Sequence, residues 1–195
     1  MIIVSHRRNT VEELASTPSN LGIEVDIRSQ SNELIVHHDP FSPGISFDKW
    51  LDSYNHKLLI LNVKEEGLEE RILQLMVERK IEDYFFLDQS FPFLIKWANK
   101  GESKLAIRIS EFESIETALT LKDKIQWAWI DCFTQFPLSE KNVGLIKSSG
   151  LKLCIVSPEL QGRNANIEIP KMRNQIKALD LKIDAVCTKR ADLWQ

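Results

Sequence analysis

Residues 23–40 read IEVDIRSQSNELIVHHDP, and this segment provides the best starting point for predicting the fold. Its first half alternates apolar residues with Glu24 and Asp26, so both carboxylates lie on one face of a predicted strand. A polar break follows, and the chain returns as a second apolar run, residues 33–37, before reaching His38. The segment therefore predicts a β-hairpin that brings two carboxylates and an imidazole to the same end of a sheet.

The rest of the chain alternates short apolar runs with amphipathic segments. The predicted strands are rich in Ile, Val, Leu and aromatic residues, and they cover residues 2–5, 23–27, 58–63, 84–87, 105–109, 127–130, 152–156 and 185–187. Such near-continuous apolar runs are typical of parallel strands buried on both faces. Eight βα units predict an α/β fold, a compact (β/α)8 TIM barrel with a β-hairpin after the second strand. An open doubly wound sheet is the structural alternative.

The composition describes one soluble globular domain. The chain has 195 residues, 43% of them hydrophobic, and a net charge of -3. Without a linker or low-complexity segment, we expect a single barrel domain over residues 1–195. A nucleic-acid partner is not expected, because no Lys/Arg-rich run is present. No segment approaches the roughly 20 apolar residues of a membrane span, so we expect a cytoplasmic protein. The three widely spaced cysteines are predicted to be buried free thiols.

Polar side chains gather at the predicted carboxyl ends of the strands, which is where barrels of this type carry their functional residues. These side chains are His6, Arg7, Glu24, Asp26, Asn62, Lys64 and Arg108. Two carboxylates and an amide oxygen suit a hard cation, Mg²⁺ or Ca²⁺. Arginine and lysine suit phosphoryl oxygens, and a pair of histidines suits proton transfer. The pattern favours metal-assisted cleavage of a phosphodiester.

Three of these assignments have alternatives. Asn62 is as well explained by a strand-end cap as by a metal ligand. Lys64 precedes two glutamates and is also compatible with surface ion pairs. Arg108 interrupts a buried strand, so it requires either an anionic ligand or an acidic partner. Asp131 and Glu159 are the candidate partners.

The motifs, taken in order, resemble the glycerophosphodiester phosphodiesterase family. That family shows H-R-G after strand 1, E-x-D on strand 2, H-D after a hairpin and E-x-K on strand 3. The corresponding residues here are His6-Arg7-Arg8, Glu24-Val25-Asp26, His38-Asp39 and Asn62-Val63-Lys64. A fifth segment, TKRADL at 188–193, resembles a late T-D-x-P-D-L-like motif. The middle of the chain matches only in the rhythm of its strands.

The resemblance implies a role for each matched residue. His6 and His38 would form the general acid/base pair, and Glu24 and Asp26 would bind the metal. Arg7 and Lys64 would contact the phosphate. The implied substrate is a small-molecule glycerophosphodiester, split to glycerol phosphate and an alcohol.

Three departures from the family pattern each make the site more positive. Arg8 replaces Gly, Asn62 replaces Glu and Lys189 replaces Asp. They predict a preference for a more anionic diester. The alternatives are a non-catalytic barrel that binds a phosphoryl ligand, and a barrel enzyme acting on a sugar phosphate.

Overall fold

The computed structural model describes residues 1–195, and its contacts divide the chain into two compact units. We call Ser5–Trp97 the N-terminal unit. The C-terminal unit consists of Met1–Val4 together with Ala98–Gln195. No helix in either unit has the length and apolar character that a membrane crossing requires.

The N-terminal unit combines a hairpin with three parallel strands. Its strands are β2 (Gly22–Gln30), β3 (Glu33–Val36), β4 (Ile45–Ser46), β5 (Leu59–Val63) and β6 (Tyr84–Leu87). Its helices are α1 (Val11–Ser16), α2 (Phe47–Leu51), α3 (Glu69–Glu78) and the start of α4 (Phe91–Asn99). The strand order is β4-β3-β2-β5-β6, antiparallel from β4 to β2 and parallel from β2 to β6. The predicted hairpin after the second strand is confirmed.

The register between β2 and β5 places the polar residues side by side. Asp26 is paired with Asn62, and Glu24 with Ile60. Because side chains alternate along a strand, Glu24, Asp26 and Asn62 all point to one face. Fully buried residues such as Val25 and Leu61 occupy the other face. The two carboxylates therefore face one shared volume, on the side of the sheet opposite Val25 and Leu61.

The C-terminal unit is a run of parallel strands with intervening helices. Its strands are β1 (Ile2–Ser5), which begins in this unit, β7 (Ala106–Ile109), β8 (Trp127–Ile130), β9 (Lys152–Val156) and β10 (Ala185–Thr188). The helices are α5 (Ile115–Leu121), α6 (Glu140–Ser149) and α7 (Ala165–Ala178), with 3-10 turns at Pro158–Gln161 and Ala191–Leu193. β7, β8, β9 and β10 pair in that order, and β1 follows β10. The three cysteines are buried and free, as predicted.

The structure differs from the sequence-based expectation mainly after the hairpin. A two-residue strand, β4, and the short helix α2 follow β3 and were not predicted. Gly44 allows this return, because a Cβ at that position would lie 2.6 Å from the carbonyl oxygen of Val36. The mixed α/β architecture with parallel strands is confirmed. Closure into a (β/α)8 barrel and a single domain over residues 1–195 remain predictions.

Candidate functional site

The centre of the candidate site is a group of three buried polar side chains on β2 and β5. Glu24 and Asp26 are each 1% exposed, and Asn62 is 6% exposed. Polar groups buried to this degree need hydrogen-bond or charge partners within the protein. Besides one another, the partners come from the segment after β1 and from Lys64, directly after β5.

Glu24 accepts hydrogen bonds on both of its carboxylate oxygens. Nδ2 of Asn62 donates to Oε1 at 2.8 Å, and the backbone N–H of Arg7 donates to Oε2 at 2.7 Å. Nε2 of His6 lies 3.8 Å from Oε2. Burial, followed by the nearby charge of Asp26, raises the pKa of Glu24 from 4.5 to about 7. The site therefore contains a carboxyl group that can carry a proton near neutral pH.

Asp26 lies between two cationic side chains. Nζ of Lys64 is 3.1 Å from Oδ1, and Nε of Arg7 is 3.3 Å from Oδ2. Asn9 holds the same residue from another side, because its Nδ2 donates to Oδ2 at 2.8 Å. The backbone N–H of Asp26 donates in return to Oδ1 of Asn9 at 3.1 Å. Asn9 is thus a positioning residue for Asp26 that sequence reasoning missed.

Lys64 points into the site rather than toward the two glutamates that follow it. Its ammonium group lies 3.9 Å from Oδ2 of Asp88 in addition to its contact with Asp26, and the side chain is 17% exposed. Glu65 instead binds Ser29 and Arg28. The alternative of a surface pair between Lys64 and the following glutamates is therefore wrong. Asp88, directly after β6, was also missed by sequence reasoning.

His38 lies on the hairpin return and is held by its neighbour. Its Nδ1 is 2.7 Å from Oδ1 of Asp39, and its carbonyl oxygen accepts a hydrogen bond from Nε of Arg28 at 2.9 Å. The hydrogen bond with His38 lowers the pKa of Asp39. With Nδ1 engaged, Nε2 is the ring nitrogen left for proton transfer. A groove lined by both His38 and Arg7 connects the hairpin with the segment after β1.

Arg108 lies in the C-terminal unit, on β7. Its Nε is 3.8 Å from Oδ2 of Asp131, so Asp131 is the acidic neighbour that the sequence suggested. Oδ1 of Asp131 also accepts a hydrogen bond from Gln161 at 2.7 Å. The predicted contact of Arg108 with a substrate phosphate is not tested by these interactions and remains a prediction.

Six of the eight predicted site residues are connected by direct contacts in the N-terminal unit: His6, Arg7, Glu24, Asp26, Asn62 and Lys64. His38 shares the groove with Arg7. No group of three or more His, Cys, Asp or Glu side chains is arranged to hold a metal ion. Asn62, which is paired with Asp26, contributes an amide rather than a carboxylate to the cluster.

The whole chain has the fold of known phosphodiesterases. A glycerophosphodiester phosphodiesterase from Agrobacterium tumefaciens superposes with a TM-score of 0.65 at 14% identity, covering 100% of this chain and 98% of the enzyme. A glycerophosphoryl diester phosphodiesterase from Parabacteroides distasonis superposes with a TM-score of 0.68 at 12% identity, covering 96% and 82%. No family model and no curated protein matches the sequence. At these identities the comparison shows a shared fold.

Proposed function

We propose that this chain is a divergent glycerophosphodiester phosphodiesterase that hydrolyses a small phosphodiester. The main support is the convergence of buried carboxylates with an arginine, a lysine and a histidine in one unit. The family resemblance of the same residues and the fold of the two solved enzymes point in the same direction. With this function we also propose that residues 1–195 form one (β/α)8 barrel domain, an arrangement that the full-length superposition supports.

The proposed mechanism assigns phosphate binding to the two cations beside Asp26. Arg7 and Lys64 would hold the non-bridging oxygens, the first through its planar fork and the second as a point charge. Asp26 positions both cations, and Asn9 holds Asp26 in place. Arg108 is proposed as a further phosphate contact from β7. These interactions would orient the phosphorus atom for attack from one side.

Proton transfer is assigned to His6 and His38. One imidazole would remove a proton from the attacking hydroxyl group or water as its oxygen bonds to phosphorus. The other would donate a proton to the ester oxygen as the bond between that oxygen and phosphorus breaks. Asp39 would keep the ring of His38 oriented. Each such transfer typically accelerates a reaction by about 10²–10⁴-fold.

A divalent cation fits the donor set of Glu24, Asp26 and Asn62. Oδ1 of Asn62 is buried and accepts no hydrogen bond, and the buried Oδ1 of Asp26 has Nζ of Lys64 at 3.1 Å as its contact. Carboxylate and amide oxygens are ligands of Mg²⁺ and Ca²⁺. Burial and the nearby charge of Asp26 disfavour the ionised form of Glu24, and a bound cation would stabilise that form. The cation would have to share Asp26 with Lys64. When bound, it would stabilise the negative charge on the phosphoryl oxygens.

Hydrolysis of bis(p-nitrophenyl) phosphate and of glycerophosphodiesters, with added Mg²⁺ or Ca²⁺ and with EDTA, tests the proposal. We expect turnover that EDTA abolishes and that His6→Ala lowers by about 10²-fold or more. His56→Ala is the matched control, because His56 belongs to the same unit and binds the carbonyl oxygen of Thr17 outside the site. Loss of activity in both variants, or turnover unaffected by EDTA, would contradict the proposed mechanism.

The second candidate is a barrel that binds a phosphoryl ligand without cleaving it. The observation favouring it is that N–H or ammonium donors already contact all four oxygens of Glu24 and Asp26. Such a site is suited to static binding of an anion through Arg7 and Lys64. This candidate would be favoured if calorimetry detects binding of a diester and the diester stays intact during long incubation with Mg²⁺ and with Ca²⁺.

A further inference from the structure

A groove of about 530 Å³ opens beside the candidate site within the N-terminal unit. One wall is formed by the segment after β1 and the start of α1, and the other by the chain from the end of β3 to β4. Arg7 and His38 line this groove. With His38 taken as the group that protonates the leaving oxygen, the groove begins beside that oxygen. A group esterified to that oxygen would extend into it.

The walls of the groove combine carboxylates with aliphatic surface. Glu12 and Asp39 are exposed carboxylates, and Val11 and Ile45 provide partly buried aliphatic side chains. Carboxylates accept hydrogen bonds from hydroxyl groups, whereas aliphatic side chains pack against C–H surfaces. A ring that carries several hydroxyl groups presents both kinds of surface.

The charges in the groove do not favour an ionic alcohol. The carboxylates of Glu12 and Asp39 oppose an anionic group, while the guanidinium of Arg7 opposes a cationic group. A neutral group meets neither repulsion. This balance differs from the sequence-based expectation of a more anionic diester, which rested on position in the sequence alone.

The outer wall of the groove is fixed by the backbone. Gly44 packs against the carbonyl of Val36, and Ile45 pairs with Val36 in the sheet. Between Asp39 and Pro43, which both line the groove, Phe41 is fully exposed with a φ of 59°. Such a conformation is strained for an aromatic residue, and strained residues cluster at functional sites.

We propose that this groove binds the alcohol half of the diester and that this alcohol is a neutral, polyhydroxylated ring such as a sugar unit. The assignment rests on the proposed function, because it takes His38 as the group beside the leaving oxygen. Sites for small molecules commonly have about 300–1,000 Å³. Glycerol, with three carbons, fills less of 530 Å³ than a sugar ring does.

Methyl NMR of Val11 and Ile45 tests binding directly, with methyl glucoside, glycerol and choline as probes. We expect saturable shifts with methyl glucoside and smaller ones with glycerol and choline. Glu12→Gln should weaken glucoside binding about threefold or more, because the amide oxygen still accepts a hydrogen bond but no longer a charge-assisted one. Glu116→Gln, an exposed change in the C-terminal unit, is the matched control. Equal or larger shifts with choline, or no shift with any probe, would overturn the assignment.

Turnover measurements separate this inference from the proposed function. A glucosyl-phosphoglycerol diester should give kcat/KM about tenfold or more above those of glycerophosphoglycerol and glycerophosphocholine, which corresponds to about 1.4 kcal/mol. If the groove binds glucoside but no diester is cleaved, hydrolysis fails and the binding assignment stands. If the two smaller diesters are cleaved with the same kcat/KM as the glucosyl diester, the proposed hydrolysis stands and the sugar assignment fails.

Discussion

Replacing Asn9 with alanine should destabilise the protein through Asp26. Asn9 supplies a donor to the Asp26 carboxylate at 2.8 Å and an acceptor to its backbone N–H at 3.1 Å. A hydrogen bond to a charged group contributes about 1.5–3 kcal/mol, and a buried N–H without a partner costs about 1–3 kcal/mol. Because Asn9 is half-buried, water can replace part of these interactions. We therefore expect a loss of about 2–4 kcal/mol in the free energy of unfolding.

Urea denaturation followed by tryptophan fluorescence measures this loss. Asn99→Ala is the matched control, because Asn99 is exposed and its side chain accepts only from Lys124. Its cost should stay within about 0.5 kcal/mol. Asn9→Asp keeps the acceptor for the N–H of Asp26 but faces its carboxylate with a like charge. It should therefore destabilise the protein more strongly at pH 8 than at pH 5.

The activity of Asn9→Ala provides an independent measure. Asp26 would keep Arg7 and Lys64 as its only side-chain partners, so both cations would lose their fixed position. We expect kcat for bis(p-nitrophenyl) phosphate to fall about tenfold or more. A stability loss below about 0.5 kcal/mol combined with unchanged turnover would refute the role of Asn9 as the residue that positions Asp26.

Three further predictions concern the carboxylates, the amide and the histidine pair. The pKa of Glu24 is raised from 4.5 to about 7, so the folded state binds its proton more tightly than the unfolded state does. In EDTA the free energy of unfolding should then fall by about 3 kcal/mol at most as pH rises from 4.5 to 7. Urea titrations at several pH values measure this slope, and Glu24→Gln should remove it. Asn62→Glu supplies a third carboxylate and should tighten Ca²⁺ binding about tenfold in calorimetry; unchanged affinity would contradict the proposed ion site. Asp39→Ala frees the ring of His38 and should lower kcat for bis(p-nitrophenyl) phosphate, which offers Asp39 no hydroxyl group, about tenfold or more with little change in KM; a pure KM effect would argue against an orienting role.

The strands were predictable because most are short apolar runs, and strands such as β5, β6 and β8 are buried along their whole length. The structure has strands at all eight predicted positions, with ends shifted by a few residues in β2, β5, β7 and β10. β4 could not be predicted, because two residues carry no periodicity. Its position depends on how closely Gly44 approaches the backbone of Val36. Contacts of this kind depend on tertiary packing, which a local pattern does not encode.

The residues of the candidate site were predictable to the extent that they follow strand periodicity. Glu24, Asp26 and Asn62 lie two apart or in register, and the structure places them together. Asn9 lies outside such a pattern, since the chain turns after β1 at Arg7, which has a φ of 52°. The only sequence feature that pointed to Asn9 was that it is a polar residue soon after the end of β1. The direction of that turn cannot be read from the sequence.

The amide at position 62 changes the charge of the site and links the two candidate functions. Glu24 and Asp26 bring two negative charges, and Arg7 and Lys64 balance them. Glu24 titrates near pH 7, so the cluster of these four groups carries between zero and one positive charge around neutral pH. A third carboxylate at position 62 would make the same cluster repel a phosphate unless a cation were bound. With Asn62 the phosphate can be held by Arg7 and Lys64 alone, so binding an anion does not require the ion even if cleavage does. A diester that binds in EDTA but is cleaved only with a divalent cation is therefore the behaviour that these side chains favour.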